Sequence, residues 1–230
     1  MIELIQKYGV MLLVGSWPHG QIGGLAATLI LAFLGLALAF PIAILLGFAR
    51  ISHFKVLRGV VAGWVVILRG IPLIMLIFWA YFVVPLITGM SVSVFVTCLV
   101  AIILYESAFL AEIVRAGLQG LPRGQMEAAR ASGLSYWQSM RYVILPQALV
   151  NMIPSLVNQF VSTIKATSIV YIIGMEELTF AAQQINSIEL TNALQTYLIL
   201  AGIYFIVCLA LSYAARLLEA RIQKRRAGLA

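Results

Sequence analysis

The amino-acid sequence predicts an all-α membrane protein with five transmembrane helices. Of its 230 residues, 63% are hydrophobic and only 10% are charged, whereas about a quarter of the residues of a soluble domain are charged. The mean hydropathy is +1.04. Five apolar stretches reach the ~20 residues that a helix needs to cross a bilayer, and they lie at about 23–49, 60–87, 92–114, 147–174 and 194–215. Lipid is therefore the main solvent of this chain.

The distribution of Lys and Arg predicts the orientation of the spans, because basic residues gather in cytoplasmic loops. One side of the predicted membrane has only Lys7, and the loops at 88–91 and 175–193 on that side have none. The other side has twelve: Arg50, Lys55, Arg58, Arg115, Arg123, Arg130, Arg141, Arg216, Arg221, Lys224, Arg225 and Arg226. We expect an outside N-terminus and a cytoplasmic C-terminus. The net charge of +7 is explained in the same way, and it does not indicate nucleic-acid binding.

Three segments are predicted along the chain. Residues 1–22 form a retained N-terminal segment, since the short run from Tyr8 to Val14 is not followed by a small-x-small cleavage site; we expect a short helix at the outer interface. Residues 23–215 form one transmembrane domain without internal repeats, and residues 216–230 form a basic cytosolic tail. The charged residues of the outer 175–193 loop are acidic: Glu176, Glu177 and Glu189.

The composition excludes several kinds of catalytic site. Asp is absent and the two histidines, His19 and His53, lie outside the spans, so neither an aspartyl intramembrane protease nor a Ser-His couple or a metal cluster is expected. Cys98 and Cys208 lie in apolar runs without a CxxC pair and are expected to be buried hydrophobes. We expect the chain to be no enzyme and to bind no cofactor.

The cytosolic loop at about 117–146 has the pattern of a helical hairpin. Pro122 is placed to begin one helix and Gly133 to end it. Ser135 and Gln138 form a capping box for a second helix, which Pro146 is expected to limit. Within this loop stand Glu127-Ala128-Ala129, Gly133, Val143 and Leu145-Pro146.

These residues and their spacing resemble the signature of ABC importer permeases, with Val143 where that family usually has Ile. The resemblance implies a type I importer permease whose coupling helix docks into a separate ATP-hydrolysing subunit. The chain has no GxxxxGK[ST] loop, so ATP and Mg²⁺ would bind to that partner. Other implied partners are a second ATPase subunit, a like or related second permease and an extracytoplasmic substrate-binding protein, in a bacterial cytoplasmic membrane.

Further motifs resemble the polar amino-acid branch of this family. They are Arg69-Gly70-Ile71-Pro72-Leu73, Glu112 to Gly117, and Lys165-Ala166-Thr167-Ser168-Ile169, where Ala166 replaces the usual Asp. Val84-Pro85 and Tyr136 to Met140 are most similar to glutamate/aspartate permeases, which makes these amino acids the best guess for the cargo. The alternative is a stand-alone secondary transporter or channel, which would be expected to show inverted repeats or proton-relay carboxylates.

Charges inside the spans are candidates for the translocation path or its gate, because a charge near the bilayer centre is costly. At ~1.5 Å per residue, Arg69 and Glu106 lie at similar depths, so they either pair structurally or face the path. Glu112 and Arg115 are expected to form a local pair. Lys165 either meets a substrate carboxylate or snorkels to the interface. The hydroxyls of Thr163, Thr167 and Ser168 either line the path or bond back to their own helix.

Overall fold

The computed structural model describes residues 1–89 and 92–227, and it is helical throughout almost all of them. The helices are α1 (Ile2–Val14), α2 (Gly24–Arg50), α3 (Lys55–Gly70), α4 (Leu73–Thr88), α5 (Val94–Gln119), α6 (Arg123–Ala131), α7 (Tyr136–Ile173), α8 (Leu178–Ile188) and α9 (Ala193–Ala227). A π-helical turn interrupts α4 at Trp79–Val83 and another interrupts α7 at Met140–Ile144. The last turns of α7, Thr167–Ile173, are 3₁₀-helical.

Four of these helices, α2, α5, α7 and α9, are long and apolar enough to cross a membrane. The pair α3 and α4 supplies a fifth span if it is counted as one, and its two parts meet at 97°. The break is at Gly70–Pro72, as the sequence predicts: α3 ends at Gly70 and Pro72 is the N-cap of α4. Proline has no N–H to continue the helix and restricts the residue before it.

Helices α2 and α5 form the central pair of the bundle. A Cβ atom at Gly35 would lie 2.5 Å from Ile102 Cγ2, and one at Gly47 would lie 2.5 Å from Val114 Cγ1. Such close approach drives helix association in lipid, where the hydrophobic effect between helices is missing. Alanines fill most of the remaining contact: Ala27, Ala32, Ala39, Ala43, Ala108 and Ala111 are buried.

The N-terminal segment contains the predicted short helix, α1, and it packs on α8. Leu4 and Leu12 of α1 are buried in one cluster with Leu178 and Ile185 of α8. Its position at the membrane interface stays a prediction. The predicted outer loop at 175–193 contains a helix of its own, α8, which was not predicted from the sequence.

Glu177, expected on the acidic outer loop, is instead fully buried, with 0% of its surface exposed. Its carboxylate is the N-cap of α8 and accepts a hydrogen bond from the Phe180 N–H at 2.9 Å. The hydroxyls of Thr28 on α2 and Tyr204 on α9 also donate to it, at 3.3 and 3.0 Å. The residue joins three helices because its charge is satisfied by donors from each of them.

The prediction that Pro146 limits the second helix of the hairpin is wrong. The π turn at Met140–Ile144 shifts the backbone pairing just before Leu145-Pro146, so the helix accommodates the missing N–H and continues to Ile173. Helix α9 likewise continues beyond the predicted fifth span into the predicted tail, as far as Ala227. Residues 90–91 of a predicted outer loop and residues 228–230 of the predicted tail lie outside the described residues.

Candidate functional site

Helix α6 presents part of the Glu-Ala-Ala motif to solvent. The helix begins after Pro122 and extends over Arg123–Ala131. Glu127 and Ala128 are exposed, whereas Ala129 is buried against the protein. A small exposed alanine beside a carboxylate leaves room for another surface to approach closely, and the buried alanine lets α6 lie flat on the bundle.

The turn after α6 has the predicted geometry. Gly133 has φ +84°, a left-handed conformation that glycine adopts without steric cost. The capping box is confirmed: Ser135 Oγ accepts from the Gln138 N–H at 3.3 Å, and Gln138 Oε1 accepts from the Ser135 N–H at 2.8 Å. The turn is flanked by exposed aromatic side chains, including Trp137 at 73% exposure, which add to the surface available for docking.

The hairpin is joined directly to a membrane span. Val143 and Leu145 are partly buried and Pro146 is exposed, all three on α7 itself. The Gln147 amide of α7 donates to Gln125 Oε1 of α6 at 3.3 Å and to the Val143 carbonyl at 2.9 Å. Helix α6 is thus connected to α7 by this contact and by a single short turn.

A polar cavity of about 470 Å³ opens between α3, α5 and α7. Its polar lining comes from Arg69, Glu112, Asn151, Ser155 and Gln159, and its small residues are Ala116, Gly117 and Gly120. The exposed Arg69 guanidinium lies over the Phe109 ring, with Cζ 5.2 Å from the ring centroid. A cavity with such a lining can hold water and a small polar solute.

The predicted contact between Arg69 and Glu106 is not formed, and no ion pair joins them in the described part of the chain. Glu106 is only 1% exposed and accepts a hydrogen bond from Gln159 Nε2 at 2.7 Å. Its side chain faces the interior between α5 and α7, whereas Arg69 lies at the open edge of the cavity over Phe109. Similar depth was therefore not enough to bring them together.

The predicted local pair on α5 is confirmed. Arg115 Nε donates to Glu112 Oε1 at 2.9 Å. Arg50 at the end of α2 adds a second partner, with its guanidinium 3.2 Å from Glu112 Oε2. This carboxylate is thus neutralised by two arginines at the edge of the cavity.

The three hydroxyls near the C-terminal end of α7 bond back to their own helix. Thr163 donates to the Gln159 carbonyl at 2.9 Å, Thr167 to Ile164 at 2.7 Å and Ser168 to Lys165 at 2.7 Å. Thr167 is fully buried, so in this conformation it does not line the cavity. Lys165, by contrast, is exposed on α7.

One face of α7, here named the polar stripe, is exposed and carries only polar side chains. Between residues 150 and 166 the exposed positions are Asn151, Ser155, Asn158, Ser162 and Lys165. At 3.6 residues per turn these five lie within an arc of roughly 80°. The exposed side chains of α2 are all apolar, among them Ile30, Phe33, Leu38, Ile42 and Leu45.

The contrast between α7 and α2 indicates what each face contacts. Polar groups that face hydrocarbon are costly and in membrane proteins turn towards protein or a water-filled cavity. The polar stripe therefore does not face lipid. Sequence analysis missed Asn151, Ser155, Asn158 and Ser162, although their alternating spacing of four and three residues in an apolar span was a readable signal.

Together, the helical bundle, the exposed hairpin and the polar stripe define a polytopic membrane transport component. The chain belongs to the family described as binding-protein-dependent transport system inner membrane component, which matches residues 39–224. It has the type I ABC importer permease fold and, like its relatives, is a transport subunit and not an enzyme.

Named relatives and solved structures agree with this assignment. The chain is 39% identical to the probable glutamine ABC transporter permease protein GlnP of Bacillus subtilis, over 86% of this chain and 91% of that one. It is 41% identical to the inner membrane amino-acid ABC transporter permease protein YhdY of Escherichia coli, over 90% of this chain but only 57% of that longer one. A crystal structure of an amino acid ABC transporter with histidines superposes with a TM-score of 0.80 at 35% identity, covering 86% of this chain and 92% of that chain.

Proposed function

We propose that this chain is the permease subunit of an ATP-driven importer of a polar amino acid. The observation that carries the proposal is the exposed α6 hairpin joined to a membrane span with a polar face. A hairpin with an exposed Glu127 and Ala128 suits docking to a separate protein, and α7 connects that docking point to a polar face in the membrane. The relatives named as amino-acid and glutamine permeases support the cargo class.

The proposed assembly contains four further subunits or proteins. Two ATP-binding subunits dock on the cytosolic side and carry ATP and Mg²⁺, and a second permease, identical or related, lies beside this one. A substrate-binding protein delivers the cargo from outside. The basic loops support a cytoplasmic hairpin and an outside N-terminus.

The second permease is proposed to cover the polar stripe, so that the path lies between the two subunits. In this arrangement the stripe and the cavity at Arg69 face water and cargo instead of lipid. ATP-driven closure of the ATPases would move α6, and α7 would alternate between inward and outward openings. The cargo is proposed to be an amino acid with a carboxylate or amide side chain. The sequence motifs favour glutamate or aspartate; the names of several relatives refer to glutamine, and one of these names also refers to glutamate, aspartate and asparagine.

Replacing Glu127 tests the docking role directly. Glu127→Lys reverses the charge at the exposed motif and is expected to abolish both co-purification with the ATP-binding subunit and substrate uptake in vesicles. Glu3→Lys, which reverses an equally exposed charge at the other end of the chain, is the matched control and should retain both. Intact uptake in Glu127→Lys vesicles, or accumulation by the wild-type chain without any ATPase, would favour the stand-alone transporter instead.

A further inference from the structure

We infer that Arg69 and Lys165 give the translocation path a positive lining that admits neutral and anionic amino acids and disfavours cationic ones. This inference rests on the proposed function, because it assumes that the polar stripe and the cavity face the cargo. It concerns the charge class of the substrate, which the docking hairpin does not determine.

At the inner end, the cavity has more positive than negative charge. Arg69 is exposed in its wall, and no carboxylate of the described residues forms an ion pair with it. The carboxylate that lines the cavity, Glu112, is engaged by Arg50 and Arg115. A cationic side chain entering here would therefore meet arginines without a free carboxylate to pair with.

Near the middle of the path, the carboxylate of Glu106 is withdrawn from the cavity. The Gln159 side chain both lines the cavity and donates its amide N–H to Glu106 at 2.7 Å. Because Glu106 is 1% exposed, what faces the cavity is an amide and not a negative charge. The exposed neighbours on α7 are likewise neutral, an alternation of Asn and Ser.

At the outer end, Lys165 is the charged member of the polar stripe. The next residue is Ala166, which offers no carboxylate. The Ser168 hydroxyl donates its hydrogen bond to the Lys165 backbone carbonyl and does not bind the Lys165 ammonium. Glu177, the nearest buried carboxylate in sequence, is engaged by Phe180, Thr28 and Tyr204. The path thus presents Arg69 in the cavity wall, Lys165 at the far end of the polar stripe, and neutral groups on the stripe between them.

Thiol modification measures this potential without depending on a binding protein. Asn158→Cys is placed in the complete chain lacking Cys98 and Cys208, in membrane vesicles, and is treated with an anionic or a cationic methanethiosulfonate of similar size. Ser187→Cys, exposed on α8 and away from the stripe, supplies the reference rates. The ratio of the anionic to the cationic modification rate at Asn158→Cys is expected to be about tenfold higher than the same ratio at Ser187→Cys.

Neutralising the two cations should remove that preference. With Arg69→Gln and Lys165→Gln together, the ratio of anionic to cationic rates at Asn158→Cys is expected to fall to that of Ser187→Cys. An unchanged ratio, or no preference in the parent, overturns the charge inference but leaves a water-filled path. If the cysteine at 158 reacts with neither reagent while the reference cysteine reacts, both the charge inference and the water-filled path are overturned. Ser162→Cys repeats the test if the Asn158→Cys variant fails to insert.

Discussion

Replacing Glu177 with alanine is expected to loosen one end of the bundle, because this one side chain joins α2, α8 and α9. The substitution removes a helix N-cap, at a cost of about 1 kcal/mol, and two further bonds to a charged acceptor, each of which contributes about 1.5–3 kcal/mol. Part of this is recovered, since the Tyr204 hydroxyl keeps Thr179 as a partner at 3.2 Å and the Thr28 hydroxyl keeps the Gly24 carbonyl. The net loss is therefore expected to be about 3 kcal/mol.

Thermal unfolding in detergent measures this loss. For a chain of this size, about 3 kcal/mol corresponds to a fall of roughly 6–12 °C in Tm. Glu176→Ala is the matched control, because the Glu176 side chain is next in sequence, is partly exposed and takes no part in the three-helix contact. If both variants unfold at the same temperature, Glu177 does not hold the three helices together and the reasoning is refuted.

Two other perturbations test the packing and the outer contacts. Gly47→Val should separate α2 from α5, since even a Cβ would lie 2.5 Å from the opposing side chain. Overpacking of this kind costs about 1–3 kcal/mol and should lower Tm. Gly63→Ala is the control and should leave Tm unlowered, because nothing lies within 4 Å of a Cβ at that position. The hydrogen bond from Lys7 lowers the pKa of Glu189 below its ordinary 4.5, and the same contact raises the pKa of Lys7 above 10.5. Their pairing is therefore complete between these two ordinary values and is lost as pH falls below 4.5 or rises above 10.5. The protection of α1 amides from hydrogen exchange, taken relative to their intrinsic exchange rate at each pH, should fall on acidification in the wild type. Lys7→Met should show the lower protection already at neutral pH, and equal protection in both chains at neutral pH would contradict the pairing.

The sequence predicted those features that depend on local chemistry. The break at Gly70–Pro72, the turn at Gly133 and the capping box at Ser135 follow from backbone constraints of single residues, and all three are confirmed. The spans followed from apolar length alone. None of these features requires knowledge of what packs against them.

Features that depend on packing were missed or misjudged. Glu177 reads as an exposed loop charge until α2 and α9 supply hydroxyls to it. Arg69 and Glu106 share a depth, but which face of α5 turns towards α3 is set by the bundle. Pro146 was expected to end its helix, but a π turn directly before it accommodates the missing N–H and the helix continues. The polar stripe needed the exposure of each position as well as its spacing.

Because α7 continues from the hairpin through the bundle without an intervening loop, it can act as a lever. Its 38 residues correspond to a rod of roughly 57 Å at 1.5 Å per residue, and a tilt of about 5° at one end displaces the other by about 5 Å. The α6 hairpin is hydrogen-bonded near one end, and Lys165 stands near the other. Any bending is expected at Pro154, where a backbone N–H is missing within the rod. A small rotation imposed at the hairpin end would thus become a displacement of several Å at the far end without passing through any loop.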